Sequence, residues 1–97
     1  MDEKIYTRYF RAFGEPSRLR ILRLLASKPL TVNDIVDRMK LSQSTVSRHL
    51  RVLRDAGILT DRRDGQCVYY SLNKDAVETC CTSFCDGLEI KTRHRKK

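Results

Sequence analysis

The chain has 97 residues, and its 20 Lys and Arg against 12 Asp and Glu give a net charge of +8. This length favours one domain, and an apolar fraction of 40% favours a folded chain over a disordered one. No apolar run approaches the roughly 18 residues of a membrane span, and charges interrupt the first turns. We therefore expect neither a membrane segment nor a secretory signal, and we expect a cytoplasmic protein with free thiols.

Two helices open the chain. A helix over 4–13 is predicted by aromatic and aliphatic residues at helical spacing, and Gly14 ends it. Pro16 suits the first turn of a second helix because its missing N–H would have no partner there. Lys28-Pro29 ends this second helix. Its apolar face is made by Leu19, Ile21, Leu22, Leu24 and Leu25.

A third and a fourth helix follow closely. Thr31 and Asp34 form a T-x-x-D pattern that is typical of a helix start. Ser42 is a favourable N-cap for a fourth helix that runs to about Ala56, and Gly57 ends it. The joint between the two helices is short, which is typical of a helix-turn-helix.

The periodicity then changes from helical to extended. Residues 58–60 and 67–72 are two β-compatible runs, and a charged turn at 62–66 with a D-G signal joins them. Asn73 can cap a last helix over 74–88. The sequence predicts a mainly α fold with one β-hairpin, a winged helix-turn-helix. Residues 1–90 form the domain, and 91–97 form a basic, disordered tail that holds five of the cations.

The fourth helix has an unusual exposed face. At about 100° per residue, Val46, Leu50 and Leu53 form the buried stripe, and the opposite side carries short polar residues and arginines without an acid. Such residues suit a helix that enters the major groove, because Arg and Gln bond base edges and hydroxyls bond phosphates. His49 lies at the border of the stripe, where we expect a packed, hydrogen-bonded side chain. The wing tip can reach a minor groove or flanking phosphates. The predicted DNA contacts are Ser42, Gln43, Ser44, Thr45, Ser47, Arg48, Arg51, Arg62, Arg63 and Gln66.

These segments resemble the ArsR/SmtB family of winged-helix repressors. The resemblance lies in FRAFGEPSRLRILRLL at 10–25, SQSTVSRHLRVLRDAGIL at 42–59 and DRRDGQCVYYSL at 61–72, and it covers roughly 5–88. It implies a homodimer formed through the first and last helices and an operator of double-stranded DNA with imperfect two-fold symmetry. It also implies a repressor that a metal, a metalloid or an oxidant releases from DNA.

The chain departs from the family's common sensor sites. Arsenic and cadmium sensors of this family often carry Cys-x-Cys at the start of the third helix, where this chain has Thr31-Val32-Asn33. The family's His and Asp pattern for zinc on the last helix is also missing, because His94 is the only histidine beyond the fourth helix. Neither site can be transferred to this chain.

The last helix instead carries Cys80, Cys81 and Cys85. Three soft donors this close suit arsenite or antimonite, which take three thiolates, or alternatively Cd, Pb or Hg. Closing them on one ion requires the helix to bend or unwind. No metal is required for DNA binding in this reading. The same cysteines also fall on an apolar stripe with Val77, Phe84 and Leu88, where they could simply pack a dimer interface. Cys67 is interpreted as structural.

The sequence suggests three alternatives to a repressor that responds to a metal or metalloid ion, and the third is disfavoured. The repressor could respond to an oxidant or a persulfide through a bond between thiols, or it could be a DNA-binding protein without an inducer. A thiol enzyme such as an arsenate reductase is disfavoured, because no cysteine begins a Cys-x5-Arg loop or a C-x-x-C motif. We therefore predict that the chain is not an enzyme.

Overall fold

The computed structural model describes residues 2–91, so the predicted tail over 91–97 lies outside the described residues except for Lys91. Within residues 2–91, five helices and three strands follow one another. Their order is α1 (Glu3–Phe13), α2 (Pro16–Leu25), β1 (Leu30–Thr31), α3 (Val32–Met39), α4 (Gln43–Asp55), β2 (Leu59–Asp64), β3 (Cys67–Leu72) and α5 (Lys74–Gly87). This arrangement confirms the mainly α fold with a wing.

Side chains at the helix starts fix where each helix begins. Thr31 and Asp34 form a full capping box at α3, with both hydrogen bonds at 3.1 Å. Ser42 caps α4 and Asn73 caps α5, as predicted. Glu15 caps α2 by accepting a 2.9 Å hydrogen bond from the Arg18 backbone N–H, a cap that the sequence analysis did not foresee. Local chemistry thus sets these helix boundaries.

A small antiparallel sheet has the strand order β1-β3-β2. β1 was not predicted, because two residues are too few to show an alternating pattern and their partners are distant in sequence. It pairs Leu30 with Tyr70 and Thr31 with Tyr69. The hairpin therefore joins the start of α3 as a three-stranded sheet.

The turn of the hairpin is shorter than predicted. β2 continues to Asp64, and Gly65 and Gln66 alone make the turn, with Gly65 at φ +65°. The prediction that Arg62 and Arg63 lie in the turn was wrong, because both pair with β3. Adjacent residues of a strand point to opposite faces, so the two arginines leave the wing in different directions.

The core lies where α2, α3 and α4 meet the sheet. Side chains with almost no exposure come from each of these elements and from the residues around them: Ile21, Ile35, Val46, Leu50, Leu53, Ile58 and Cys80. Gly57 follows α4 with φ +85°, as expected for a residue that ends a helix. The guanidinium of Arg54 lies 3.4 Å from Asp61, which ties the end of α4 to β2. Among residues 2–91, none of the helices has the length and apolar character that crossing a bilayer requires.

Candidate nucleic-acid interface and helix α5 thiols

Helix α4 separates its apolar and polar residues as the sequence predicted. Val46, Leu50 and Leu53 are fully buried. On the other side, the exposed residues between 43 and 51 are polar or basic and include no carboxylate, namely Gln43, Ser44, Ser47, Arg48 and Arg51. The exposed Asp55 follows one turn after Arg51, at the end of the helix. Because three buried side chains hold the helix against the core, this exposed row has a fixed orientation.

The hydroxyls at the start of α4 hydrogen-bond to one another. Ser42 Oγ accepts from the Thr45 backbone N–H at 3.2 Å and donates to Thr45 Oγ1 at 2.8 Å. Ser44 Oγ lies 3.3 Å from Ser42 Oγ. Thr45 is half-buried, whereas Ser42 and Ser44 are exposed. Ser42 and Thr45 therefore have a structural task at this helix start in addition to any contact with DNA.

The wing presents its two arginines differently. The Arg62 guanidinium lies 5.9 Å from the centre of the Tyr69 ring on the paired strand, a cation–π contact. Arg63 pairs with Val68 and is exposed. Arg62 is thus held along the strand, and Arg63 extends from the other face of the hairpin.

The structure brings the wing and α4 to one groove. A cleft of about 250 Å³ is lined by Gln43 at the start of α4, by Thr31–Asn33 and by Gln66–Val68. Gln43 and Gln66, both predicted to contact DNA, therefore share a surface. Cys67 is exposed here and does not pack into the core, because β3 begins at the end of the wing.

His49 is packed and hydrogen-bonded, as expected. Arg18 Nη1 lies 3.2 Å from His49 Nδ1, and Glu15 Oε1 lies 3.9 Å from His49 Nε2. Burial lowers the pKa of His49; the Glu15 carboxylate partly offsets this, and the charges of Arg18 and Arg48 add to the lowering. Arg18 also donates to the backbone oxygens of Ala12 and Arg11, at 2.8 and 3.3 Å. Arg18 therefore joins the end of α1 to α4, a role that the sequence pattern did not indicate.

The three thiols of α5 have different surroundings. Cys80 is fully buried, Cys81 is exposed and Cys85 is half-buried. Among residues 2–91, no group of three His, Cys, Asp or Glu side chains is placed to hold a metal ion. The reason is the regular helix, which turns about 100° between Cys80 and Cys81 and so points them apart.

The chemistry of Cys80 follows from its burial. Burial raises the pKa of the Cys80 thiol, and the neighbouring Cys81 raises it further. The pKa of Tyr9 on α1 is raised by burial first and then by Cys80 and Cys81. These thiols therefore lie near Tyr9, at the contact of α5 with α1. Because only a thiolate binds a metal ion, Cys80 is a poor ligand in this conformation.

Aromatic rings extend the contact between α1 and α5. Phe84 lies 4.8 Å from Phe10 and 5.2 Å from Tyr6, measured between ring centres, and both pairs meet edge to face. Large apolar side chains nevertheless remain exposed on α1 and just after α5: Ile5, Phe10, Leu88 and Ile90. The predicted apolar stripe of α5 is thus only partly covered within one chain.

Comparison with known proteins identifies the family. Residues 15–61 match the family described as "Bacterial regulatory protein, arsR family". The transcriptional repressor SdpR of Bacillus subtilis is 38% identical over 69 residues, which cover 71% of this chain and 77% of that protein. The chain belongs to the arsR family. It is a DNA-binding transcriptional regulator, and the resemblance read from the sequence is confirmed at this level.

Solved structures of the arsR family and its relatives agree with the fold. One, described as a possible transcriptional regulator for arsenical resistance, is 36% identical with a TM-score of 0.72 and covers 84% of each chain. The homodimeric winged helix-turn-helix DNA-binding domain from Mycobacterium bovis is 25% identical with a TM-score of 0.74. That match covers 97% of this chain and 88% of the other. In helix-turn-helix proteins the second helix of the motif lies in the major groove, and α4 occupies that position in this fold.

Proposed function

We propose that this regulator is a homodimeric repressor that binds operator DNA through α4 and the wing. The observation that carries the proposal is the exposed face of α4 from Gln43 to Arg51, which has hydroxyl, amide and guanidinium groups and no carboxylate. The exposed Asp55 lies beyond this stretch, at the last residue of the helix. Such groups bind phosphates and base edges, whereas carboxylates repel phosphates. The description of SdpR as a transcriptional repressor favours repression over activation.

The proposed DNA contacts divide by element. On α4, Arg48 and Arg51 are the candidates for base edges, and the serines with Gln43 approach the groove closely. On the wing, Arg63 and Gln66 are free to reach flanking phosphates, while Arg62 is held by Tyr69. The full proposed set remains Ser42, Gln43, Ser44, Thr45, Ser47, Arg48, Arg51, Arg62, Arg63 and Gln66.

A homodimer would cover the apolar residues that one chain leaves exposed. Phe10 on α1 contacts Phe84 of α5, Ile5 is exposed on the same α1 helix, and Leu88 and Ile90 follow the end of α5. The relative from Mycobacterium bovis is described as homodimeric. Two α4 helices related by two-fold symmetry can occupy successive major grooves about 34 Å apart, which requires an operator with matching symmetry.

The proposed inducer is arsenite or another thiophilic ion that binds Cys80, Cys81 and Cys85. Binding would require Cys80 to leave its buried position near Tyr9, so α5 would have to bend or unwind. That change would disturb the contact of α5 with α1 and the dimer geometry that fits DNA. The relative described in connection with arsenical resistance supports this choice of ligand.

A thiol redox or persulfide response is the second candidate. Cys81 is exposed and Cys85 is half-buried one helical turn later, so these two thiols can react without moving Cys80. In this case an oxidant would take the place of the ion, and the response would not depend on a metal.

The DNA interface is tested by operator binding, measured as fluorescence anisotropy with a duplex selected from random sequences. We expect Arg51→Gln to weaken binding about tenfold or more, because a lost base contact costs about 1–3 kcal/mol. Arg20→Gln removes the same charge from an exposed residue of α2 and serves as the control. An equal loss in both variants would mean that net charge alone drives binding, which contradicts the proposed interface.

The inducer is tested on the same complex. We expect arsenite to release the wild type and not the Cys80/Cys81/Cys85→Ser triple variant, while Cys67→Ser responds like the wild type. The triple variant must still bind the operator for the comparison to count. Release by an oxidant without any ion, with a sulfur bridge seen by mass spectrometry, would instead support the redox candidate.

A further inference from the structure

A cleft lies between α1 and the C-terminal end of α4. Its volume is about 570 Å³, within the range of small-molecule sites. One wall carries the side chains of Lys4, Arg8 and Arg11 from α1. The floor is apolar and comes from Ala12 on α1 and from Val52 and Ala56 at the end of α4. The cleft therefore combines positive charge with an apolar surface.

The three cations share one side of α1. They occupy positions i, i+4 and i+7, which lie on one helical face, and like charges at this spacing repel one another. Among residues 2–91, none of the three forms a salt bridge. Asp55 lines the same cleft but has Arg54 at 3.6 Å as a partner. An anion in the cleft would thus offset charge that the described residues leave uncompensated.

We propose that this cleft binds a small organic carboxylate with an apolar body. The carboxylate would face Arg8, Arg11 and Lys4, because guanidinium groups bind carboxylates through paired hydrogen bonds. The apolar body would cover Ala12, Val52 and Ala56. The volume admits a ligand of the size of a substituted benzoate, and the single wall of cations favours one anionic end.

The cleft contains none of the cysteines and none of the residues proposed to contact DNA, although Val52 directly follows Arg51 on α4. It is nevertheless joined to the DNA-binding helix. Arg18 bonds the backbone oxygens of Arg11 and Ala12 and contacts His49 of α4. A ligand that contacts both α1 and the end of α4 would therefore favour one position of the DNA-binding helix relative to α1.

The test is a titration of the full chain without DNA. Binding is monitored through the NMR signals of the backbone N–H groups and the arginine Nε–H groups. Benzoate is the probe, benzamide is its neutral analogue, and inorganic phosphate is an anion without an apolar body. We expect benzoate to shift signals of α1 and of residues 52–56. We also expect Arg8→Gln to weaken this binding about tenfold, and Arg23→Gln, an exposed α2 residue, to leave it unchanged.

Three results would overturn the proposal. One is the absence of localised shifts with benzoate, and a second is shifts that spread equally over the arginines of α2 and α4. Equal effects from phosphate would show that charge alone attracts anions, which also contradicts the proposed class of ligand. Since the readout needs neither DNA nor thiols, its failure is distinct from failure of the repressor proposal.

Discussion

Single residues couple the helices of this protein, and His49 is the clearest case. A guanidinium can only donate hydrogen bonds, so the contact from Arg18 Nη1 requires His49 Nδ1 to be unprotonated. Protonation of the ring would break this bond and place two positive charges together. Burial already lowers the pKa of His49, so the neutral ring is the form that the folded chain favours.

The pH dependence of stability follows from that shift. Because the folded chain holds the His49 pKa below its unfolded value of 6.5, the unfolded chain binds more protons in this range. The free energy of unfolding should therefore fall as the pH drops below about 6.5 and through the folded pKa. Urea unfolding at a series of pH values checks this.

The matched variant for this prediction is His49→Gln, which keeps an oxygen to accept from Arg18 and cannot titrate. In this variant, the free energy of unfolding should change less with pH below about 6.5. Glu15 and Asp34, whose pKa values are lowered chiefly by backbone hydrogen bonds, should still cause a loss of stability at lower pH in both proteins. A wild-type slope that persists in the variant would contradict the role of His49.

The cysteines of α5 give a second prediction at this scale. Cys80→Ser places a hydroxyl in a fully buried position and should lower the free energy of unfolding by about 1–3 kcal/mol. Cys81→Ser changes an exposed residue and should stay within about 0.5 kcal/mol. Urea unfolding under reducing conditions compares the two. Equal costs would mean that both thiols share one environment.

At the scale of elements, the start of α4 combines stability with DNA recognition. Ser42 satisfies the Thr45 backbone N–H, whereas no backbone cap depends on Ser44. The two serines have the same side chain, and their hydroxyls lie 3.3 Å apart. Substituting each of them separately therefore distinguishes the capping role from the DNA-contact role.

Alanine substitutions should show this difference. Ser42→Ala should lower the free energy of unfolding by about 1 kcal/mol, the usual cost of losing an N-cap. Ser44→Ala should leave stability nearly unchanged and weaken operator binding. Thermal or urea unfolding, together with anisotropy, measures both. A stability loss of the same size in Ser44→Ala would show that its hydroxyl belongs to the cap.

At the scale of the whole molecule, the exposed apolar residues predict self-association. Leu88 follows α5 with 55% of its surface exposed, and Leu19 on α2 is 43% exposed. We expect Leu88→Glu to shift the protein toward monomer and Leu19→Glu to leave the dimer intact. Sedimentation velocity over a range of concentrations measures this. A wild-type chain that stays monomeric at every concentration, or disruption by Leu19→Glu alone, would place the interface elsewhere.

The sequence by itself determined the order of the helices, their starts at Thr31, Ser42 and Asn73, and the division of α4 into buried and exposed faces. These features depend on interactions within a few residues, such as a cap that bonds three positions ahead or side chains that recur every turn. The candidate DNA contacts on α4 could therefore be read from the sequence. In the structure they are exposed on the side of α4 away from the core, except for Thr45, which is half-buried.

Only the tertiary structure decided which residues far apart in sequence meet. It paired β1 with β3, joined Arg18 to His49, buried Cys80 while exposing Cys81 and Cys67, and opened the basic cleft between α1 and α4. The physical reason is that burial and pairing depend on the neighbours that folding brings together. A stripe of apolar spacing marks which side of a helix is buried, but it does not say which residues of that stripe the rest of the chain covers.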